Sequence, residues 1–236
     1  MDHQELRRDV ALANRIIERF GLSNAFGHAS ARIPGTNTFL LPTRRSPGFA
    51  DENTLLVLDT DGNKLSGDGQ ANSEFWIHAR IYAARPDVSG VVHAHPHGCV
   101  CLTQIGQPHR VVHNQGGIFS DGVPEYERIG LIRTRELGDV LARKLGQGVA
   151  VMMRGHGITT ALADIRSATV AAIYLEESAA LQLRMLAAAG GDAAKLRSYT
   201  PQEAEPLRDQ VGASVSARAW EYYAAVAAQA PIGWRV

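Results

Sequence analysis

Residues 91–98 read V-V-H-A-H-P-H-G, three histidines at alternate positions behind two valines. In a strand, residues i and i+2 share a face, so His93 and His95 stand on one side, roughly 7 Å apart along the chain. That spacing lets two imidazoles reach one metal ion. Pro96 breaks the strand ahead of His97 and takes that ring out of the row. A second signal lies at 153–157, M-R-G-H-G, directly behind the apolar run V-A-V-M-M. Glycines on both sides of His156 let the backbone turn sharply and present the ring unobstructed. Taken singly, H-x-H is a polar strand face and G-H-G an ordinary turn. Converging, His93, His95 and His156 would leave coordination positions open, as a catalytic rather than a structural metal site does.

A carboxylate completes the set. Glu74, in A-N-S-E-F-W-I-H, is expected on the helix that feeds the histidine strand, as a further ligand or a general acid/base. Asn72 and Ser73 just ahead of it have the chemistry to cap that helix, whose N-terminus can also hold an anion.

The elements that must position these groups follow from periodicity. Leu6, Val10, Ala13, Ile17 and Phe20 share one face of a helix over 4–20, which Gly21 ends. Short strands follow at A-S-A-R-I, T-F-L-L, T-L-L-V-L-D and K-L, and Asp61-Gly62 signals a hairpin. Residues 71–84 read as a helix stopped by Pro86, and V-S-G-V-V-H-A-H as a buried strand. A helix opens near 97, and after a loop an amphipathic helix runs to about 145. V-A-V-M-M-R-G-H-G-I-T-T is strand, turn, strand, and an alanine-rich helix covers 163–189. The tail is expected to be helical, with Trp220, Tyr222 and Tyr223 either packing on the body or covering a flat substrate. No linker, repeat or low-complexity tract divides the chain. The reading is one α/β domain over 1–236, with an aromatic-rich helical tail from about 200.

Composition narrows the function. Lys plus Arg equals Asp plus Glu, 24 against 24, which gives no electrostatic footprint for nucleic acid or an anionic membrane. The 45% hydrophobic content over 236 residues supplies a core without a structural metal. Cys99 and Cys101 are too close in sequence for an easy disulfide, and the start lacks an apolar signal core, so a cytoplasmic protein is expected. Glu176, Glu177 and Arg184 interrupt the most hydrophobic late stretch, 167–190, which excludes it as a membrane span.

The order N-S-E, then H-A-H about twenty residues on, then G-H-G about sixty beyond, resembles the class II aldolase/adducin family. The resemblance runs from about residue 5 to 190. It implies a three-layer α/β/α sandwich with a mainly antiparallel central sheet, and a homotetramer or other homo-oligomer with sites at subunit interfaces. It also implies one divalent metal ion (zinc, manganese, iron or cobalt) on His93, His95 and His156, with Glu74 as ligand, acid/base or both. The family's sugar-phosphate enzymes grip phosphate at three places that here read G-H-A-S (27–30), L-P-T-R-R-S-P (41–47) and Asn72-Ser73. Ser30, Thr43, Arg44, Arg45, Asn72 and Ser73 are therefore the expected substrate contacts.

The departures redirect the chemistry. His28 replaces an asparagine, Arg44 a glycine and Asn72 a serine, and Asn114 stands where fuculose-phosphate aldolase has a tyrosine proton donor. An arginine blocks the close backbone approach that a phosphate loop needs and offers a fork suited to a carboxylate. His28 adds a titratable group. The pattern F-G-H-x-S-x-R at 26–32 is similar to a branch that decarboxylates aromatic ortho-hydroxy dicarboxylates such as 3,4-dihydroxyphthalate. On that reading Glu74 or His28 delivers a proton to the ring carbon and Arg44 or Arg45 holds the second carboxylate. The alternatives are an aldolase or epimerase acting on a small hydroxy-carbonyl or sugar-phosphate substrate, and a non-catalytic adducin-like scaffold.

Overall fold

A computed structural model describes residues 3–210 and 213–229; the first two residues, 211–212 and the tail end at 230–236 lie outside the described residues. In chain order the elements are α1 (His3–Arg19), β1 (His28–Arg32), β2 (Thr38–Leu41), β3 (Leu56–Asp59), β4 (Lys64–Ser66), α2 (Phe75–Ala84), β5 (Gly90–Ala94) and α3 (His97–Gln104). Then come β6 (Glu125–Tyr126), α4 (Arg135–Leu145), β7 (Ala150–Met153), β8 (Gly157–Leu162), α5 (Ile165–Ala188), α6 (Pro201–Gln210) and α7 (Ala213–Ala228).

The eight strands form one sheet in the order β4-β3-β2-β1-β5-β8-β7-β6. Every ladder is antiparallel except that between β6 and β7. Successive strand residues point to opposite faces, and here both faces are covered. Leu40, Val92, Ala94 and Met152 enter one core with α1, α3 and α5. Their neighbours Phe39, Leu41, Val91, Val151 and Met153 enter the other, under α2 and α4. That is the expected three-layer arrangement, and it explains why V-A-V-M-M is apolar throughout rather than alternating.

Three local readings change. The helix expected from 71 begins at Phe75, with Glu74 in the N-cap position. Ala71 pairs with Thr43 in an isolated bridge, and the Asn72 side chain accepts the Glu74 amide at 2.9 Å, so 71–74 is held as a turn. Asn72 thus turns the chain into the helix, while Glu74 makes no side-chain capping bond and turns its carboxylate away from the helix end. Glu125–Tyr126, read as loop, forms the edge strand because Met152 and Arg154 donate their amides to the Pro124 and Tyr126 carbonyls. The tail holds two helices, and Tyr223 packs edge-on against Phe20 at 4.8 Å, with Trp220 buried beside it. Tyr222 is exposed. Cys99 is buried and Cys101 exposed, both as free thiols. No helix of the described residues is long and apolar enough to cross a membrane.

Gly90 sets how closely α5 approaches β5: a Cβ there would lie 2.3 Å from the Asp164 carbonyl oxygen at the helix start. Backbone cannot yield as a flexible side chain does. Gly90→Ala is expected to destabilise the protein by about 3 kcal/mol, the upper end of overpacking effects. Chemical denaturation checks this, and an unchanged midpoint would show that α5 shifts freely.

Candidate metal centre and substrate cavity

The site is built where β1, β5 and α2 meet. In the β1–β5 ladder His28 pairs with His93 and Ser30 with Val91, so the His28 and His93 rings share the sheet face covered by α2. On α2 and its cap, Glu74, His78 and Tyr82 recur every four residues and line the inner stripe above that ladder. His95 lies one residue beyond the end of β5, its amide held by the Leu22 carbonyl at 2.9 Å. The chain then enters α3, whose Gly98 and Cys99 amides donate to the Glu176 carboxylate at 2.8 and 3.0 Å. His97 opens α3, is exposed, and joins no ligand cluster, as its position after Pro96 led us to expect.

His156 arrives from the β7–β8 turn. Gly155 takes the left-handed φ of +62° that the turn requires. Gly157 is needed for a different reason: a Cβ there would sit 2.1 Å from the Ala94 carbonyl oxygen and 3.0 Å from the His95 ring.

One nitrogen from each of His93, His95 and His156 lies within 4.8 Å of the others, and His28, Glu74 and His93 form a second such group. His93 and His95 bring their Nε2 atoms to 3.1 Å. The Ile158 carbonyl can only accept, so His93 donates to it from Nδ1 at 2.9 Å and carries its lone pair on Nε2. Both ring nitrogens of His156 are buried without a hydrogen-bond partner, and Nε2 is 3.7 Å from Glu74 Oε2. Lone pairs crowded in this way, with an orphaned imidazole beside them, call for a cation or shared proton. The residues fit a divalent metal.

Electrostatics keep His93 and His95 in the form a metal needs. Burial holds His93 well below the ordinary imidazole value, with His95 and His28 adding to the effect. Burial and then His156 lower His95, and burial alone lowers His78 to about 3. Burial would raise the Glu74 carboxyl, but His156 and the Ile132 amide, 2.8 Å from Oε1, outweigh it, so Glu74 stays ionised.

In front of the cluster opens a cavity of about 640 Å³. Of the expected substrate contacts, Thr43, Arg44, Arg45, Asn72 and Ser73 line it, together with His28, Glu74, His95 and His156. Ser30 does not: it is fully buried against His78 and Tyr82. The cavity also contains groups that sequence reasoning missed, namely Phe26, Leu131 and Arg133. Among the described residues, no ion pair involves Arg44, Arg45 or Arg133. Arg45 rests on the Phe49 ring at 5.2 Å.

The sequence pattern of the family described as "Class II Aldolase and Adducin N-terminal domain" matches residues 8–183. The chain belongs to this family. A 3,4-dihydroxyphthalate decarboxylase from Arthrobacter keyseri is 30% identical to this family member, over 94% of each chain. An L-fuculose phosphate aldolase from Methanocaldococcus jannaschii is 26% identical over 74% of this chain and 93% of its own. Among solved structures, an aldolase II superfamily protein from Pseudomonas syringae superposes with a TM-score of 0.82 at 22% identity, covering 95% of this chain and 92% of that one. That likeness shows the fold.

His93→Ala is expected to reduce bound metal from about one per chain to near zero while circular dichroism stays unchanged; full metal retention would exclude the three-histidine site. The buried neutral rings also make the metal-free fold acid-sensitive. His28, His78 and His93 titrate below 6.5 when folded and near 6.5 when unfolded, so the unfolded chain takes up protons first. Stability should be flat above about pH 7 and fall as pH drops through 6.5, by up to about 1.4 kcal/mol per pH unit for each ring. Denaturation midpoints in chelator at pH 7.5 and 5.5 measure it.

Proposed function

We propose that this family member is a divalent-metal-dependent lyase that decarboxylates aromatic ortho-hydroxy dicarboxylates, working as a homo-oligomer, with 3,4-dihydroxyphthalate as the first substrate to test. The observation that carries this reading is the charge and shape of the cavity. Three guanidiniums that form no ion pair among the described residues line the cavity with one carboxylate, Glu74, and exposed Phe26 and Leu131 add apolar wall. A flat ring bearing two carboxylates answers all of these features. A sugar phosphate offers one compact anion, which leaves the spread of guanidiniums without a second anionic group to hold. The 30% identical decarboxylase relative points the same way.

His93, His95 and His156 would hold the ion, which when bound supplies Lewis acidity to the oxygens of the substrate. The remaining work falls to side chains. Arg44, Arg45 and Arg133 orient the carboxylates by charge-assisted hydrogen bonds. Glu74 is ionised at rest, so the proton it delivers is one it first takes from the substrate hydroxyl. Returned to the ring carbon that bears the carboxylate, that proton interrupts aromaticity. Loss of carbon dioxide leaves its electron pair to the ring and regenerates the phenolate. Atoms and charge balance without any redox partner.

The test is carbon dioxide release by manganese- or iron-loaded protein from 3,4-dihydroxyphthalate, run beside aldehyde release from fuculose 1-phosphate. Carbon dioxide from the aromatic alone is expected; aldehyde from the sugar phosphate alone would overturn the proposal. Arg133→Gln should lower kcat/KM for the dicarboxylate about 10- to 100-fold, mostly through KM, as loss of a hydrogen bond to a charged group does.

A further inference from the structure

His28 is backed by three buried groups that do not line the cavity. Its Nδ1 meets His78 Nε2 at 2.5 Å, His78 Nδ1 meets Ser30 Oγ at 2.6 Å, and Ser30 Oγ meets Tyr82 Oη at 2.8 Å. Tyr82 Oη also donates to the Ser30 carbonyl at 2.9 Å. With Nδ1 engaged, Nε2 is the nitrogen His28 has left for the cavity; His28, Glu74 and His93 each bring one ligand atom within 4.8 Å of the others.

Counting protons gives this chain a direction. A carbonyl only accepts, so the single phenol proton of Tyr82 goes to the Ser30 carbonyl. Ser30 Oγ must then donate to Tyr82 Oη, and His78 must donate from Nδ1 to Ser30 Oγ. That leaves His78 Nε2 without a proton, so His28 donates from Nδ1. Each of the four contacts then holds one proton, and His28 Nε2 is bare. The opposite direction leaves the contact between Tyr82 and the Ser30 carbonyl without a proton, an unmade hydrogen bond in a dry interior.

We infer that Tyr82, Ser30 and His78 are positioning residues that fix the tautomer of His28, so that it faces the cavity as a hydrogen-bond acceptor through Nε2. The group it recognises is a hydroxyl or other donor on the substrate, and it is not the source of the ring proton. This gives Ser30 a place behind the site instead of against the ligand. It also makes Tyr82, eight residues along α2 from Glu74, part of how the cavity reads its substrate.

The test reads the proton directly, in the zinc-loaded protein, where a diamagnetic ion on His93, His95 and His156 leaves His28 to answer to its own partners. Long-range proton–nitrogen NMR of histidine-labelled protein, or neutron diffraction from deuterated crystals, should find the His28 proton on Nδ1 alone. A proton on His28 Nε2 would overturn the inference. In Tyr82→Phe the Ser30 hydroxyl is released from the phenol and can donate to His78, so the wiring loses its direction and both His28 tautomers should appear. A His28 tautomer left unchanged by that substitution would show that the chain does not set it. The wild-type measurement decides alone should the variant fail to fold. No turnover is involved, so the result stands apart from the decarboxylase reading.

Discussion

The pairing of β1 with β5 is the constraint on which the rest of the site depends. Its register sets His28 opposite His93 and Ser30 opposite Val91. A slip by one residue would turn every one of these side chains to the other face. Because both faces are buried under helices, such a slip would also drive Ala29 and Val92 out of one core and Val91 out of the other. Packing energy across the whole sheet therefore protects the geometry of a few imidazoles. The helix above the ladder repeats that logic with its own period, presenting Glu74, His78 and Tyr82 at one height each along the strands.

Much of this arrangement could be read from the sequence because it is local. H-A-H on an apolar strand and G-H-G after another are short-range patterns, and the structure brings their rings together. Most of the strands and both long helices also follow from periodicity. Residues 71–74 were harder, since an Asn72 side chain bonded to the Glu74 amide competes with the first helical turn, and propensity does not register that competition.

What sequence reasoning missed depends on distant partners. His78 looks like one more residue on a helix face, and only the return of β1 beneath it supplies Ser30 and His28 as partners. Arg133 sits in a segment with no periodic signal. It reaches the cavity because the neighbouring Ile132 amide is fastened to Glu74, a contact spanning 58 positions. Ser30 was expected against the ligand because it belongs to a turn motif; strand alternation places it instead under α2. In each case the residue type was informative and the neighbour was not.

The sheet also ends in a telling way. Its outermost strands are its shortest: β4 has three residues, all exposed, and β6 has two. An unpaired strand is a template on which another chain can add itself, and a template of two or three residues offers very few backbone bonds. The protein thus has a broad, strongly apolar sheet without the sticky margins that such a sheet would otherwise carry.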